Sequence, residues 1–512
     1  MIPNEQAGQE LVQRFLDRGV TRRHFVQRAL ALGFTATGAG ALLASCDSST
    51  SRSTQTGASG TPSRATRKQL TGKVQILVGF GTGNSPDQVQ VQQALAAAFM
   101  QQHPGVTIDF LRVPDSSDAR TKLTVLISGG QPPDLVMPAG LYGISLFVDQ
   151  DVWLDLGPML QRDGLTLDDL ISQTAPATHV SNYFGRDSTS VIGVPVGVHD
   201  HALAYNAQLF EKAGIKPPPT SWTDDSWTLQ KSFLEAATAL TRDKKGRHPG
   251  EVGFDAGNIA QYGAGHFFRE TVFYDFGGHL YDLSSRKAQF DTPGSIAGIS
   301  FAADLVNKYH VQPSQTQVAA LGAGGGKGNE EQFAWRSGKL AMIDMCSCDI
   351  RSPFGTKVPF PFEAAAMPAG PARRFGFLNL DVGAIVKASK NQDVAWEVLK
   401  YFSFDPTAER KLSFDSYGAI PPLKQNQDAF PTGIKQELPN VNPKVWLDGL
   451  PSSSPENEAW FPAFAEVNDL VGKAFDNILA GKDAPAKGME ALQADAQAKI
   501  DTWFKTHKLP SG

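Results

Sequence analysis

Cysteine is scarce in this chain: three in 512 residues, at positions 46, 346 and 348. That excludes a disulfide-built scaffold, and no four-cysteine zinc pattern can be drawn. Positive charge is not in excess either. Lys and Arg number 47 against 52 Asp and Glu, a net charge of -5, so the basic footprint of a nucleic-acid binder is missing. Beyond the first 45 residues no apolar run reaches the ~18–20 residues that a helical bilayer span needs. What remains is ordinary composition, 41% hydrophobic and 19% charged, with length enough for two domains or a two-lobed unit.

Enzyme and cofactor motifs are missing too. The stretch VQILVGFGTGNSPD (74–87) starts like a dinucleotide-binding unit, but Asn84 stands where the third glycine belongs. Asp109 lies inside the next strand rather than at its end, where a ribose-binding acid would sit. LGAGGGKGN (321–329) fails as a P-loop, because Leu321 and Gly328 occupy the places of the first glycine and the Ser or Thr. Neither G-x-S-x-G nor H-E-x-x-H occurs, so no catalytic residue is assigned and no cofactor is expected. His199 and His201 fall on one side of an extended chain, but spacing supplies no further ligands, so no metal site is expected. One residue separates Cys346 from Cys348, which makes an unstrained bridge difficult. Two unpaired thiols are expected there, with a redox-active disulfide as the alternative.

The front of the chain reads as an address and an anchor. Arg22 and Arg23, followed by Phe25, resemble a twin-arginine export signal, and a charge-free apolar stretch follows over 29–45. Leu43-Ala44-Ser45-Cys46 resembles a bacterial lipobox, with Cys46 as the lipidated residue. Residues 1–45 are thus expected to be a signal peptide. Residues 46–72, rich in Ser, Thr and Gly, cannot bury enough apolar surface to order themselves and should form a disordered tether. Together these features imply an extracytoplasmic protein, lipid-anchored to the outer face of the cytoplasmic membrane.

The body alternates strands and helices, which predicts a parallel or mixed sheet wrapped by helices. Strands are expected over 73–78, 106–113, 134–137, 191–198, 202–205, 340–345 and 382–386. Ser85-Pro86-Asp87 is a helix start: a hydroxyl cap, a proline at the first helical position and an acid in the first turn. Further helices are expected over 118–128, 229–241, 294–309, 393–402, 460–479 and 487–504.

Several segments, in order, carry a family resemblance: FMQQHPGV (99–106), ISGGQPPDLV (127–136), VPVGVHDHALAYNAQLFEKAG (194–214), PPTSWTDDSW (218–227), GGHLY (277–281), FAWRSGKLAM (333–342), VGAIVK (382–387) and NQDVAW (391–396). The body resembles the extracellular solute-binding proteins of ABC importers, particularly the cluster that includes oligosaccharide binders. The resemblance implies an α/β, periplasmic-binding-protein-like fold of type II, two lobes joined by three hinge crossings and closing on a ligand. Lobe one would hold 73–195 plus 383–411, and lobe two 196–378 plus 419–512. The crossings would lie near 196–201, at 379–382 and at 412–418.

The resemblance also implies a ligand site at the carboxyl ends of strands. The opening loop would supply Phe80, Gly81 and Thr82, and the loop after PPDLV would supply Pro138 and Tyr142. The first crossing would supply His199 and Asp200, lobe two His266 and Phe267, and the cysteine loop Cys346, Cys348 and Asp349. Asn379 and Asp381 would come from the second crossing, with Trp460 as a last candidate. Trp222 and Trp227 are read as packing residues. The implied partners are a small-molecule solute, a saccharide by the family resemblance, and the permease subunits of an ABC transporter; nucleic acid is not among them and the chain should be a monomer. A secreted enzyme or redox protein using the Cys346/Cys348 loop, or a ligand-sensing lipoprotein, are the alternative readings.

Overall fold

The computed structural model describes residues 70–114, 116–171, 190–265, 268–282, 284–324, 330–455 and 459–507. The expected signal with Arg22 and Arg23, the lipidation residue Cys46, most of the tether, and His266 and Phe267 lie outside the described residues.

Eight strands make one sheet: β1 (Thr71–Val78), β2 (Gly105–Arg112), β3 (Leu135–Gly140), β4 (Val194–Asn206), β5 (Met342–Cys346), β6 (Phe362–Ala365), β7 (Gly376–Ile385) and β8 (Ser453–Ser454). Their order is β6-β4-β7-β3-β1-β2, with β5 on β4 and β8 on β7. β1 pairs parallel with both β2 and β3, the pairing that strand–helix–strand crossovers produce. β1 begins at Thr71, inside the stretch expected to be tether, because β2 offers it a partner from Gly105 onward. The two strands expected at 191–198 and 202–205 are one, β4, whose residues are almost all buried. A near-continuous apolar run is what a strand covered on both faces shows.

β4 and β7 are the two longest strands of the sheet. They pair antiparallel from Val194↔Gly383 to Asp200↔Leu378, with a bulge between Asp381 and Val382. The second half of β4 then pairs with β5, and its end with β6. The third passage, after the π-helical turn Lys411–Ser416, brings Ile420 onto Val198. Val198 therefore has Leu380 on one side and Ile420 on the other, and the three passages lie side by side.

The main helices are α1 (Pro86–Gln102), α2 (Ser116–Ser128), α3 (Leu141–Ser145), α4 (Leu234–Leu240), α5 (Pro293–Asn307), α6 (Gln392–Phe404), α7 (Phe464–Leu479) and α8 (Pro485–Thr506). α1 starts with a full capping box: the Ser85 hydroxyl accepts from the Gln88 N–H, and the Gln88 side chain accepts from the Ser85 N–H. The helix expected over 229–241 opens with a π-helical turn, Leu229–Phe233, before α4. α7 starts at Phe464, later than the expected 460, after Pro462 and an Ala463 in the left-handed region at φ 59°. One core cluster lies around β1 and β2, with Val74, Ile76, Phe99, Trp396 and Phe402. The other runs from Phe80 and Phe147 through β4 to Trp335, Trp446 and Phe475.

Candidate ligand-binding cleft

A cleft of about 930 Å³ opens where β1, β3, β4, β5 and β7 meet their loops. That is the upper end of the ~300–1,000 Å³ range of small-molecule sites. Four groups of residues build it.

The β1–α1 loop supplies Phe80, Gly81 and Thr82, and the first turn of α1 supplies Gln88. The loop is pinned by its own helix start, since Gln88 Oε1 accepts from the Gly83 N–H at 2.8 Å while its Nε2 donates to Thr82 Oγ1. Gly83 sits at φ 111°, and a Cβ there would lie 2.9 Å from Val78 and 3.1 Å from Pro138. The glycine is thus required by a positive φ and a tight approach, with no phosphate fingerprint involved. Phe80 is only 4% exposed and meets Phe147 edge-on at 6.1 Å, so its ring is mostly a floor beneath the loop.

α2 and α3 supply the next group, with Ser116, Ser117, Arg120, Thr121, Tyr142 and Gly143 on the wall. Gly143 has a packing reason: a Cβ would meet the Phe80 ring at 2.8 Å. The Tyr142 ring lies 5.8 Å from Phe464 of α7, and its hydroxyl accepts from Asn468 Nδ2 at 3.4 Å. Pro138 belongs to β3 itself; it is buried behind the loop and is absent from the wall among the described residues.

The crossings hold the polar centre. Alternation along β4 points His199 and His201 one way and Asp200 the other. His199 is 4% exposed, with Nε2 2.9 Å from Asp381 Oδ2. His201 Nδ1 meets Asp344 Oδ1 at 2.8 Å, and its Nε2 meets Asn379 Oδ1 at 2.7 Å. Two acceptors on one imidazole want both nitrogens protonated. Burial opposes that charge, but Asp344 and Asn379 outweigh it and hold the His201 pKa up to about 9. Asp200, expected in the site, is wholly buried on the far face, where it accepts from the Ser453 hydroxyl. Burial pushes its pKa up to about 8.

The end of β5 and the loop after it close the wall with Cys346, and with Cys348, Asp349 and Ser352. The two cysteines are joined as a disulfide with Cα atoms 5.2 Å apart, which corrects the expectation of unpaired thiols. The turn Ser347–Asp349 folds the chain back and brings the sulfurs together, a closure that spacing alone does not reveal. Burial pushes the Asp349 pKa up to about 6, although His201 and His199 pull it down.

Of the residues expected from the sequence, Phe80, Gly81, Thr82, Tyr142, His199, Cys346, Cys348, Asp349, Asn379 and Asp381 line this one space. Trp460 does not: its indole N–H donates to Asp149 at 3.0 Å and its ring packs on Trp503. Trp222 and Trp227 are buried packing residues, with the Trp222 indole donating to the Val445 carbonyl. Gln88, Arg120, Tyr417 and Asp469 also line the cleft and were missed. The capping-box spacing Ser85-x-x-Gln88 was a usable signal for the first. The others reach the wall from elements distant in the chain, which leaves no local signal.

Comparisons with known proteins agree with this architecture. A provisionally named binding protein of Brucella abortus (strain 2308) is 25% identical over 420 residues, 80% of this chain and 88% of that one. A maltotriose-binding protein of Pyrococcus abyssi (strain GE5 / Orsay) is 24% identical over 355 residues, 66% of this chain and 65% of that one. Among solved structures, an ABC substrate-binding protein of Listeria monocytogenes in complex with cycloalternan superposes with a TM-score of 0.66 at 17% identity, covering 84% of this chain and 100% of that one. Residues 82–409 match the model of the bacterial extracellular solute-binding protein family, and the chain belongs to that family.

Proposed function

We propose that this protein captures a carbohydrate in the cleft between its lobes and delivers it to the permease of an ABC importer. The observation that carries this reading is the chemistry of the wall. Carboxylates (Asp349, Asp381, Asp469) and amides (Gln88, Asn379) share one space with the ring of Tyr142. Planar acceptors fix the directions of sugar hydroxyls, and a ring presents a face to C–H groups. Arg120 is the one Lys or Arg among the described residues of the wall, which favours a neutral polyol over an anionic solute. The names of the relatives, with maltotriose and cycloalternan as ligands, point to the same class.

Delivery calls for a position beside the membrane. Arg22, Arg23 and Cys46 fit export followed by lipid anchoring. No described helix is long and apolar enough to cross a membrane. On this reading the anchor is the lipid on Cys46. Labelling with an alkyne-bearing fatty acid should mark the wild type and spare Cys46→Ser.

The central test is thermal. A ligand that binds the folded state raises Tm by mass action, by about 2.7 kcal/mol of stability at a concentration 100 times Kd. A panel of mono- and oligosaccharides is expected to contain at least one that raises Tm in proportion to the logarithm of its concentration. A folded protein with no response across the panel would sink the reading.

A further inference from the structure

Between the lobes, three groups that bind soft metals converge. We propose that, once the Cys346–Cys348 disulfide is reduced, the cleft holds a thiophilic metal ion, zinc(II) or copper(I), on both sulfurs and on His199 Nδ1. One ring nitrogen of His199 and the two sulfurs already lie within 4.8 Å of one another. Metal–sulfur and metal–nitrogen bonds of about 2.3 and 2.0 Å ask for ligand separations of roughly 3.5–3.8 Å, so the two sulfurs, bonded in the disulfide, must rotate apart once reduced.

Three further features favour the site. His199 Nδ1 is buried and has no hydrogen-bond partner among the described residues. Its other nitrogen, Nε2, lies 2.9 Å from Asp381 Oδ2. A proton on Nε2, donated to that carboxylate, leaves the lone pair on Nδ1, the arrangement by which a carboxylate orients a metal-binding imidazole. The Cys348 amide N–H also donates to Cys346 Sγ at 3.2 Å, which favours negative charge on that sulfur. The open side of the cleft leaves room for a water as fourth ligand, as in sites with two cysteines and one histidine.

The redox step balances simply. The disulfide takes two electrons and two protons from a dithiol reductant, which is itself left as a disulfide. Each cysteine thiol then loses its proton to solvent as it binds. Two thiolates neutralise a divalent ion, and thiolate ligands select zinc(II) or copper(I) over harder ions. The ion would stand in the space that the solute uses, so metal-loaded and solute-loaded protein would be alternatives. The proposal does not depend on the solute being a sugar.

The test uses the full chain carrying Cys46→Ser, so that the cleft pair supplies the only thiols. After anaerobic reduction with a dithiol and removal of the reductant, cobalt(II) should produce thiolate-to-cobalt charge-transfer absorption, saturating at one metal per chain. Zinc(II) should abolish that absorption, and the same protein left oxidised should show none. His199→Gln should weaken zinc at least about tenfold, and Asp381→Asn should weaken it less. The proposal is overturned by a reduced protein without the charge-transfer band, by equal zinc binding in the oxidised protein, or by an unchanged affinity in His199→Gln. Reduction that abolishes near-ultraviolet dichroism, without recovery on adding zinc, overturns it as well. The oxidised and reduced arms compare one protein, so the outcome does not rest on how a variant folds.

Discussion

Asp381 sits where β7 faces the cleft, holding His199 and standing on the wall at once. A charged acceptor of this kind contributes more to a polar ligand than a neutral one, about 1.5–3 kcal/mol. Asp381→Ala is therefore expected to weaken saccharide binding about 10- to 100-fold by calorimetry. Trp460→Phe should lower Tm through loss of its bond to Asp149 while leaving Kd within about twofold, because that indole packs outside the cleft wall. Equal losses of affinity in both variants would put the cleft in the wrong place.

Asp149 makes a separate prediction. Burial, with repulsion from Glu466, raises its pKa from 3.8 to about 7, although Trp460 and other donors pull it down. Between those two values the folded chain keeps a proton that the unfolded chain has lost. Its contribution is full below the lower value and is lost as pH rises through about 7, so stability should fall across that window. Asp149→Asn keeps an acceptor for Trp460 and cannot titrate. The fall in Tm from pH 5 to pH 8 should be shallower in this variant than in the wild type.

At the scale of elements, the β1–α1 loop shows how a local signal and a distant contact divide the work. Its start and stop were legible, since Ser85, Pro86 and Gln88 mark the helix by capping chemistry. The reason for Gly83 was not, because Val78, Gln92 and Pro138 surround it only after folding. Gly83→Ala forces a Cβ into that space at a positive φ, and is expected to cost about 1–3 kcal/mol, read as a lower midpoint in urea. A midpoint equal to wild type would show that the loop can rearrange. β4 teaches the same lesson. Its pattern predicted strand on both sides of 199–201, but whether the chain broke there depended on β7, β5 and β6 all offering edges to it.

At the scale of the molecule, three passages of the chain pair side by side at Val198, Leu380 and Ile420, and we propose that they are the hinge of the two-lobed clamp. Small rotations at element ends can close such a clamp. A saccharide that raises Tm should also reduce the radius of gyration in small-angle scattering. Binding without compaction would mean a cleft already closed, and would remove the hinge from the mechanism.

The sequence by itself determined the alternation of strands and helices and the helix start at Ser85, which rest on short-range chemistry: periodic burial, turn residues and caps. The family, and with it the order of the loops that reach the cleft, was legible through the resemblance of successive segments to that family. Only the tertiary structure decided that Asp200 faces Ser453, that Trp460 serves Asp149, and that Arg120, Tyr417 and Asp469 meet in one wall. It also decided that Cys346 and Cys348 are bonded beside His199. Each of these depends on which face of an element meets which neighbour. That choice is made by packing between segments up to hundreds of residues apart, which no local pattern records.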